Sequence, residues 1–370
     1  MEQDLSYEGS RSDLKPSRKK PFYRVSGGLR KYLRHYGRET RVPVSYNDLL
    51  HFAGSIPLYD SSGNDLLWET VYYEPSDMRE LYPALALVYA QLKTEGDTSF
   101  LKNLSVARID YCVFGNSKPF RIRIVNNLND NYDHFYVKVA DASRIYGLEL
   151  EHILSPNRIT YFTDGNTLIE EHIAGIPGDT FIRNHLEDTP FNQTRIAKEF
   201  IKFNERCFIR LLGDMRSYNY VVDITPDFEG SQFRLRTIDF DQQSFDGRLD
   251  MYRPRCFHEN QAFMELSQRY LKAESIKQYQ QEERALIVNR LRSSRYRLKE
   301  LLDPMVREEL APPEKRRQLA GELAAFYGNA AFLQCATMGE IVKLHLKQTL
   351  RKILKKIHED ERPFSDYHRK

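Results

Sequence analysis

Residues 120–140, FRIRIVNNLNDNYDHFYVKVA, carry the pattern that decides the fold class. In the first six residues apolar side chains alternate with Arg121 and Arg123, and a second apolar run over 135–140 follows a polar loop. Alternation with a period of two residues is typical of a β-strand that has one buried face. The stretch therefore predicts two neighbouring strands joined by a loop.

The strands predicted around this pair complete a β-β-β-α-β-β order over residues 105–173. The other members are strands over 106–114, 159–162 and 168–173 and a helix over 143–154. Asp164 and Gly165 separate the last two strands, and Asp-Gly between two apolar runs is a strong hairpin signal. The order predicts a small, largely antiparallel sheet with one helix.

Beyond residue 175 the sequence is mainly helical. Apolar side chains recur at helical spacing over 194–210, and two short strands, 220–222 and 233–238, interrupt the helical pattern. Further amphipathic helices are predicted over 264–271, 286–302, 320–333 and 341–357. Together with the sheet, this pattern predicts an α+β protein.

The chain before the sheet has a different texture. Residues 1–24 are polar and end in basic side chains, which predicts a mobile tail. Residues 25–104 alternate short helical patterns with loops and form an N-terminal extension. The sheet-forming part covers 105–174, a helical part covers 175–300, and a helical C-terminal extension covers 301–370.

The composition is that of an ordinary globular protein. The 370 residues include 55 Lys and Arg against 52 Asp and Glu, a net charge of +3, and 41% are hydrophobic. This excludes collagen-like, coiled-coil and mostly disordered chains and gives little support for bulk nucleic-acid binding. No apolar run approaches the roughly 18 residues that span a membrane. The four cysteines are far apart without a C-x-x-C pair, so we expect a reducing, cytoplasmic location.

Four features along the chain suit one kind of chemistry. Lys138 lies in an apolar strand, where its ammonium needs an anionic partner. The next predicted helix carries two candidate partners, Glu149 and Glu151. Further along, LLGDMRSYN over 211–219 lies between a helix and a strand, and TIDFD over 237–241 ends a strand.

In this order the features resemble the protein-kinase-like superfamily, in its branch of aminoglycoside and choline phosphotransferases. Asp214 and Asn219 match the Asp-x-x-x-x-Asn of that branch's catalytic loop, and residues 238–241 match its metal-binding Ile-Asp-Phe element. Residues 168–178 are similar to the segment that connects its two lobes. The resemblance covers about residues 105–300. It implies a two-lobed fold, with a small antiparallel β-sheet N-lobe and a mainly helical C-lobe.

The resemblance also implies roles in ATP- and Mg²⁺-dependent phosphoryl transfer. Lys138 would bind the phosphates, with Glu149 as the first choice of carboxylate partner and Glu151 as the second. Asp214 would be the catalytic carboxylate that accepts the proton of the acceptor hydroxyl or orients that hydroxyl.

The remaining implied residues bind the metal ion and the adenine. Asp239 would chelate Mg²⁺, Asn219 would be a second ligand through its carbonyl oxygen, and Asp241 could reach a second ion. Backbone groups near Glu170 to His172 would bind the adenine. The expected cofactors are ATP and Mg²⁺.

Three positions depart from the family's pattern. Leu212 replaces the usual His, Asp241 replaces a Gly, and Gly115 is the one glycine in the phosphate-covering loop. The second departure is common in the small-molecule branch, and the short interval from Asp214 to Asp239 has no evident activation segment. Both favour a small-molecule hydroxyl as the acceptor. The alternatives are a bacterial-type protein kinase and a non-catalytic pseudokinase scaffold that binds a partner.

Both ends of the chain are basic. Residues 341–356 of the last predicted helix include six Lys and Arg and no acid. A solvated helix face is the simpler interpretation, and contact with an anionic lipid or nucleic-acid surface is the other. The basic N-terminal tail has the same two interpretations.

Overall fold

A seven-stranded antiparallel sheet forms much of the first half of the protein. The computed structural model describes residues 20–60, 63–94, 99–113, 116–187, 191–228 and 230–360. The strands follow the spatial order β1-β2-β3-β4-β5-β7-β6. They are β1 (Gly54–Tyr59), β2 (Asp65–Tyr72), β3 (Leu104–Cys112), β4 (Phe120–Asn126), β5 (Tyr132–Val139), β6 (Tyr161–Asp164) and β7 (Thr167–Glu171).

One face of this sheet is apolar and covered. Ile122 and Ile124 of β4 belong to a hydrophobic cluster with Leu85 of helix α3 (Pro75–Thr94), which packs on β3 and β4. Because successive side chains of a strand point to opposite faces, the polar residues between these apolar ones share the other face. Those polar residues include Arg121, Arg123, His134, Tyr136 and Lys138.

Strands β1 and β2 were not expected from the sequence. The pattern over 25–104 predicts short helices and loops, whereas β1 and β2 form a hairpin and Thr70 of β2 pairs with Asp110 of β3. Strand β1 lies at the edge of the sheet, contains Pro57 and buries none of its residues fully. It therefore lacks the alternation that marks a half-buried strand.

Helices and a small second sheet form most of the remaining described chain. The three strands of that sheet, in the order β10-β9-β8, are β8 (Ile176–Pro177), β9 (Tyr220–Asp227) and β10 (Gly230–Thr237). The other helices are α1 (Gly27–His35), α2 (Tyr46–Leu49), α4 (Ala142–Leu154), α5 (Gly178–Asn184), α6 (Gln193–Arg210), α7 (Gln261–Tyr270), α8 (Ala273–Ser293), α9 (Arg295–Met305), α10 (Pro313–Tyr327) and α11 (Met338–Asp360).

Helix α4 connects the large sheet to the helices. All of its residues except His152 are buried. Its apolar side chains share one hydrophobic core with those of α6, α9 and α11. The helix begins after Asp141, whose carboxylate accepts a hydrogen bond from the backbone N–H of Arg144 at 3.2 Å and caps the first turn.

Two predicted helices in the C-terminal part differ from those in the structure. One is divided into two helices, and the other ends earlier than the sequence predicts. The pattern over 286–302 is divided at Ser294 between α8 and α9. The pattern over 320–333 stops at Tyr327, because Gly328 follows with a φ of +61°. Glycine adopts this left-handed conformation without strain and commonly ends helices.

The fold agrees with the sequence at the level of class. The α+β class is confirmed. The last described helix, α11, is basic as predicted, and its residues Lys343, Lys347 and Arg351 are exposed. No helix in the described ranges is both long and apolar enough to cross a membrane. Residues 1–19 and Gly115, on which parts of the sequence interpretation rest, lie outside the described residues.

Candidate functional site

Lys138 and Glu170 form a buried ion pair on the polar face of the large sheet. Lys138 lies on β5 opposite Leu168 of β7, two residues from Glu170 on the same face of that strand. Its Nζ donates to Oε2 of Glu170 at 2.8 Å, and both side chains are less than 10% exposed. Neighbouring strands therefore supply both the lysine and its carboxylate.

Arg144 links this pair to the residues at the end of β10. Its Nε and Nη2 donate to the two carboxylate oxygens of Glu170 at 2.5 and 2.7 Å. Its Nη1 donates to Asp239 and to Asp241, both at 2.9 Å. Lys138, Arg144, Glu170, Asp239 and Asp241 are hereafter the Arg144 cluster. One fully buried guanidinium thus brings together three of the residues that the sequence proposes as ligands.

Burial and ion pairing act against each other in this cluster. Burial would raise the pKa of Glu170, but the charges of Arg144 and Lys138 outweigh it and lower that pKa to about 2. Burial, and then the charge of Arg144, lowers the pKa of Lys138. Burial and the charge of Asp241 raise the pKa of Asp239. Burial acts the same way on Asp241, but its cationic neighbours, Arg144 first, lower its pKa.

The structure does not pair Lys138 with either glutamate of α4, which corrects the prediction. Glu149 is fully buried and accepts hydrogen bonds from Arg297 at 2.7 Å, Arg38 at 3.2 Å, Tyr161 at 2.7 Å and Tyr32. These five residues are hereafter the Glu149 cluster. Five helical residues separate it from Arg144, a rotation of about 140°. Glu149 therefore faces α1 and α9 rather than β5.

Glu151 has other partners for a similar reason. It contacts Arg210 at the end of α6 and accepts a hydrogen bond from Nδ2 of Asn157 at 3.3 Å. The choice of Glu149 as the partner of Lys138 depends on a helix with a single buried face that also carries Ile153. The helix is instead buried on every side, so its apolar positions cannot reveal which neighbour each glutamate meets.

The loop that carries Asp214 packs against the segment that carries Asp239. The backbone N–H of Gly213 donates to the carbonyl of Gln242 at 3.2 Å, and that of Ile238 donates to the carbonyl of Asn219 at 3.1 Å. Asn219 donates from Nδ2 to the backbone carbonyl of Asp214 at 2.7 Å. The Asp-x-x-x-x-Asn and Ile-Asp segments are therefore neighbours.

The backbone of these two segments is unusually strained. Among the described residues, six that are not glycine have a positive φ, and Leu211, Asp214 and Ser244 are three of them. Aspartate tolerates this conformation, whereas leucine adopts it at a cost of roughly 1–2 kcal/mol. Strained residues held by surrounding structure are frequent at functional sites. Ser244 bonds to Leu211 through the backbone at 2.9 Å, so the strain is local to one spot.

Asp214 itself is buried and ion-paired. Its Oδ1 accepts from Nε of Arg216 at 2.9 Å, and Arg216 also binds Glu259 at 2.5 Å while it stacks on Phe257. Leu212, which stands where the family has a His, is fully buried and pairs with Gln243. The Asp214 loop is thus positioned by apolar packing and by Arg216.

The adenine-binding prediction needs a correction at Glu170. This residue lies inside β7 between Tyr136 of β5 and Tyr161 of β6, so its backbone groups belong to the sheet. Its contribution is the side chain. His172 follows the end of β7, is half-buried and lies 3.4 Å from the hydroxyl of Tyr136 through Nδ1.

The donors near Asp239 suit a divalent cation that also binds phosphate. The Asp239 side chain is 30% exposed, and the two hydrogen bonds that it accepts within the described residues, from Arg144 and from the backbone N–H of Asp241, reach Oδ1. Oδ2 remains for a ligand. The described residues hold no group of three His, Cys, Asp or Glu that could bind a metal ion. Mg²⁺ usually takes one or two carboxylates plus water and phosphate oxygens, so two aspartates are enough.

Two cavities lie away from the Arg144 cluster. One, of about 290 Å³, is lined by Asn329 and by Lys347 and Arg351 of α11. The other, of about 250 Å³, is lined by residues around Tyr89 and Tyr132. The candidate site described above is therefore a partly exposed charged cluster and not one of these cavities.

Two members of the site were missed by sequence reasoning. Arg144 is one, and its signal is an arginine in the first turn of an apolar helix, three residues after the capping Asp141, because buried arginines need partners. Lys20 is the other: it binds Asp141 at 2.8 Å and lies near Phe245. The sequence predicts that it belongs to a mobile tail, yet it packs at the start of α4.

No family model matches the chain, and no curated protein shows significant similarity to it.

Proposed function

We propose that the protein is an ATP- and Mg²⁺-dependent phosphotransferase that acts on a hydroxyl group of a small molecule. The finer fold that we propose with it is the two-lobed, protein-kinase-like one. A single observation carries the proposal. Lys138 and Asp239, which are far apart in the chain, meet in one buried ionic cluster, next to the loop of Asp214 and Asn219.

The Arg144 cluster provides groups for the phosphates and their counterion. Lys138 is a buried cation whose partner, Glu170, fixes its direction, so it can contact phosphate oxygens. Asp239 offers a partly exposed carboxylate, and Asn219 is a neighbour of its segment because the backbone carbonyl of Asn219 accepts from the N–H of Ile238. Asp239 and Asn219 would hold Mg²⁺, which would supply positive charge against that of the phosphates.

Asp214 supplies the group that acts on the acceptor. Its Oδ1 is paired with Nε of Arg216 at 2.9 Å, and a carboxylate in this position can accept a hydrogen bond from a hydroxyl. Positioning of this kind, rather than covalent chemistry, is the main demand of phosphoryl transfer. The strained backbone at Asp214 is consistent with a carboxylate held in a fixed direction.

A non-catalytic, partner-binding protein is the second candidate, and one observation favours it. Arg144 already contacts both Asp239 and Asp241, where a catalytic site would hold its metal ion. A resident guanidinium can replace the charge of a metal ion and leave the protein without transfer activity. The two candidates differ in whether Mg²⁺ and nucleotide bind at Asp239.

Thermal unfolding with and without Mg²⁺-ATP tests the proposal. A ligand present at 100 times its dissociation constant stabilises the native state by about 2.7 kcal/mol. We expect this shift in the wild type and its loss in Asp239→Asn. Asp250→Asn, at an exposed aspartate, is the matched control and should keep the shift. Absence of a Mg²⁺-dependent shift in the wild type would reject the phosphotransferase and favour the second candidate.

A further inference from the structure

A row of arginines crosses the polar face of the large sheet. Arg108 of β3 lies directly opposite Arg123 of β4, and Arg123 lies directly opposite His134 of β5. Arg121 is the next residue of β4 on the same face. Like charges that face each other across strands destabilise a sheet. The chain therefore keeps an arrangement that is unfavourable for folding alone.

Carboxylates near this row are too few to balance it. Asp110 is fully buried and binds Arg108 at 3.0 Å and Arg121 at 2.8 Å. Within the described ranges Arg123 makes no ion pair, and its Nε is buried without a hydrogen-bond partner. Two guanidinium groups thus share one carboxylate, and within the described residues the third, that of Arg123, has no anionic partner.

An aromatic ring fixes the direction of Arg123. The guanidinium lies over the ring of Tyr132, 3.8 Å from the ring centroid. Stacking covers the flat face of the guanidinium, whereas the edge of a guanidinium is the part that binds an anion through two parallel hydrogen bonds. The Arg123 side chain as a whole is half-buried. Arg121 is stacked in the same way, 4.8 Å from the ring centroid of Trp68. The row is therefore ordered before any ligand arrives.

The neighbouring histidines do not alter this charge balance. Burial, followed by the charges of Arg121, His172 and Arg123, lowers the pKa of His134 to about 3. Burial also lowers the pKa of His172. Both rings are neutral at pH 7, so the positive charge of the face belongs to its arginines.

The Arg108 and Arg121 side chains are 34% and 18% exposed, which lets an anion reach them.

We propose that this face binds a small phosphate-bearing molecule, with Arg123 as the principal contact and Arg108 as the second. Lys138 lies on the same face, four residues along β5 from His134, a distance of about 13 Å. The row of arginines therefore leads along the same face toward the Arg144 cluster. The inference goes beyond the phosphotransferase, because binding here needs neither Mg²⁺ nor a transfer reaction.

A nucleic acid fits the face less well. Proteins that bind single strands offer open aromatic rings on which bases stack. Here guanidinium groups already cover one side of the Trp68 and Tyr132 rings. Phosphate recognition through guanidinium edges is the chemistry that remains.

Calorimetric titration with inorganic pyrophosphate, without Mg²⁺ and at low salt, tests this site. We expect wild type and Asp239→Asn to bind alike, and Arg123→Gln to bind about tenfold more weakly or worse, since a charged hydrogen bond is lost. Arg123→Lys keeps the positive charge but cannot donate two parallel hydrogen bonds. Its affinity for pyrophosphate should therefore lie between those of wild type and Arg123→Gln. Arg317→Gln, which removes an equal charge from an exposed position on α10, should bind like wild type.

Each contrary result has a definite meaning. Arg108→Gln serves as a second variant, and circular dichroism establishes that each protein is folded. The site is rejected if both folded variants bind pyrophosphate like wild type, or if Arg317→Gln weakens binding as much as Arg123→Gln. Tighter, Arg123-dependent binding of an oligothymidylate would overturn the small-molecule class. Loss of binding in Asp239→Asn alone would assign pyrophosphate to the proposed metal site instead.

Discussion

Helix α4 lies between two buried ionic clusters that differ in how completely they are closed. In the Glu149 cluster, a fully buried carboxylate is surrounded by two arginines and two tyrosine hydroxyls. In the Arg144 cluster, a fully buried arginine is surrounded by carboxylates, one of which is 30% exposed. The first has donors in excess around one buried carboxylate, and the second includes a carboxylate that is partly exposed.

The charges of the two clusters also differ. The Glu149 cluster has two cations and one anion, whereas the Arg144 cluster has two cations (Lys138 and Arg144) and three anions. A surplus of negative charge is consistent with the raised pKa of Asp239. Buried polar networks that are fully satisfied rigidify a fold. We therefore expect the Glu149 cluster to act mainly on stability, and the Arg144 cluster to be the one in which the proposed ligand binding can be tested.

The largest change in stability is expected at the closed cluster. Glu149→Gln leaves Arg38 and Arg297 without their carboxylate, and removal of one partner from a buried ion pair costs about 3–5 kcal/mol. Urea unfolding should show this loss, and Mg²⁺ should not restore it. Glu265→Gln, at an exposed glutamate, is the control and should stay within about 0.5 kcal/mol. A wild-type-like Glu149→Gln protein would contradict the structural role of this cluster.

A slightly smaller loss is expected at the open cluster, together with rescue by a metal ion. Arg144→Gln removes the cation shared by Glu170, Asp239 and Asp241 and should cost about 3 kcal/mol, the lower end of the range, because Asp239 is partly solvated. Mg²⁺ at ten times its dissociation constant should return about 1.4 kcal/mol. Urea unfolding with Mg²⁺ or with an equal ionic strength of NaCl measures the difference. Equal recovery in both salts would show that screening, not binding, restores stability.

The sequence predicts the elements of this region better than their contacts. The strand that holds Lys138, the helix α4 and the loop of Asp214 all lie where the residue patterns indicate. The partner of Lys138 is different, because a helix buried on all sides carries no periodicity that tells one face from another. Strand β1 is not predicted for a related reason. It lies at the edge of the sheet and has no buried face, so apolar and polar residues do not alternate along it. Local sequence patterns therefore predict where strands and helices lie. When a helix is buried on every side, its sequence no longer shows which neighbours its side chains contact.

The dependence of stability on pH should separate the Arg144 cluster from an ordinary buried glutamate. Glu170 has a pKa lowered to about 2, so its ion pairs stabilise the fold above its unfolded pKa, and this stability is lost as the pH falls toward 2. Burial raises the pKa of Glu205 despite its pairing with Arg284. Protonation of Glu205 therefore adds stability as the pH falls.

Urea unfolding at several pH values between about 7 and 2 tests this difference, and one proton can change stability by at most about 1.4 kcal/mol per pH unit. The stability gap between wild type and Glu170→Gln should shrink as the pH falls from the ordinary glutamate pKa toward 2. For Glu205→Gln the wild type should gain relative to the variant at higher pH, as the pH falls through the raised pKa of Glu205 to the ordinary glutamate value. Parallel slopes for both variants would remove the distinction between the two glutamates.

The smallest change in stability is expected at Asp214, where the effect should fall on activity instead. Asp214→Asn keeps a residue that tolerates the left-handed backbone and loses a partly exposed ion pair with Arg216, worth at most about 1 kcal/mol. If Asp214 accepts the proton of the acceptor hydroxyl, turnover should fall by about 10²- to 10⁴-fold. Nucleotide-dependent stabilisation should persist, because Asp214 is not assigned to the metal or the phosphates. Turnover of the variant equal to that of the wild type would remove Asp214 from the reaction, and loss of nucleotide binding with it would move Asp214 to the binding cluster.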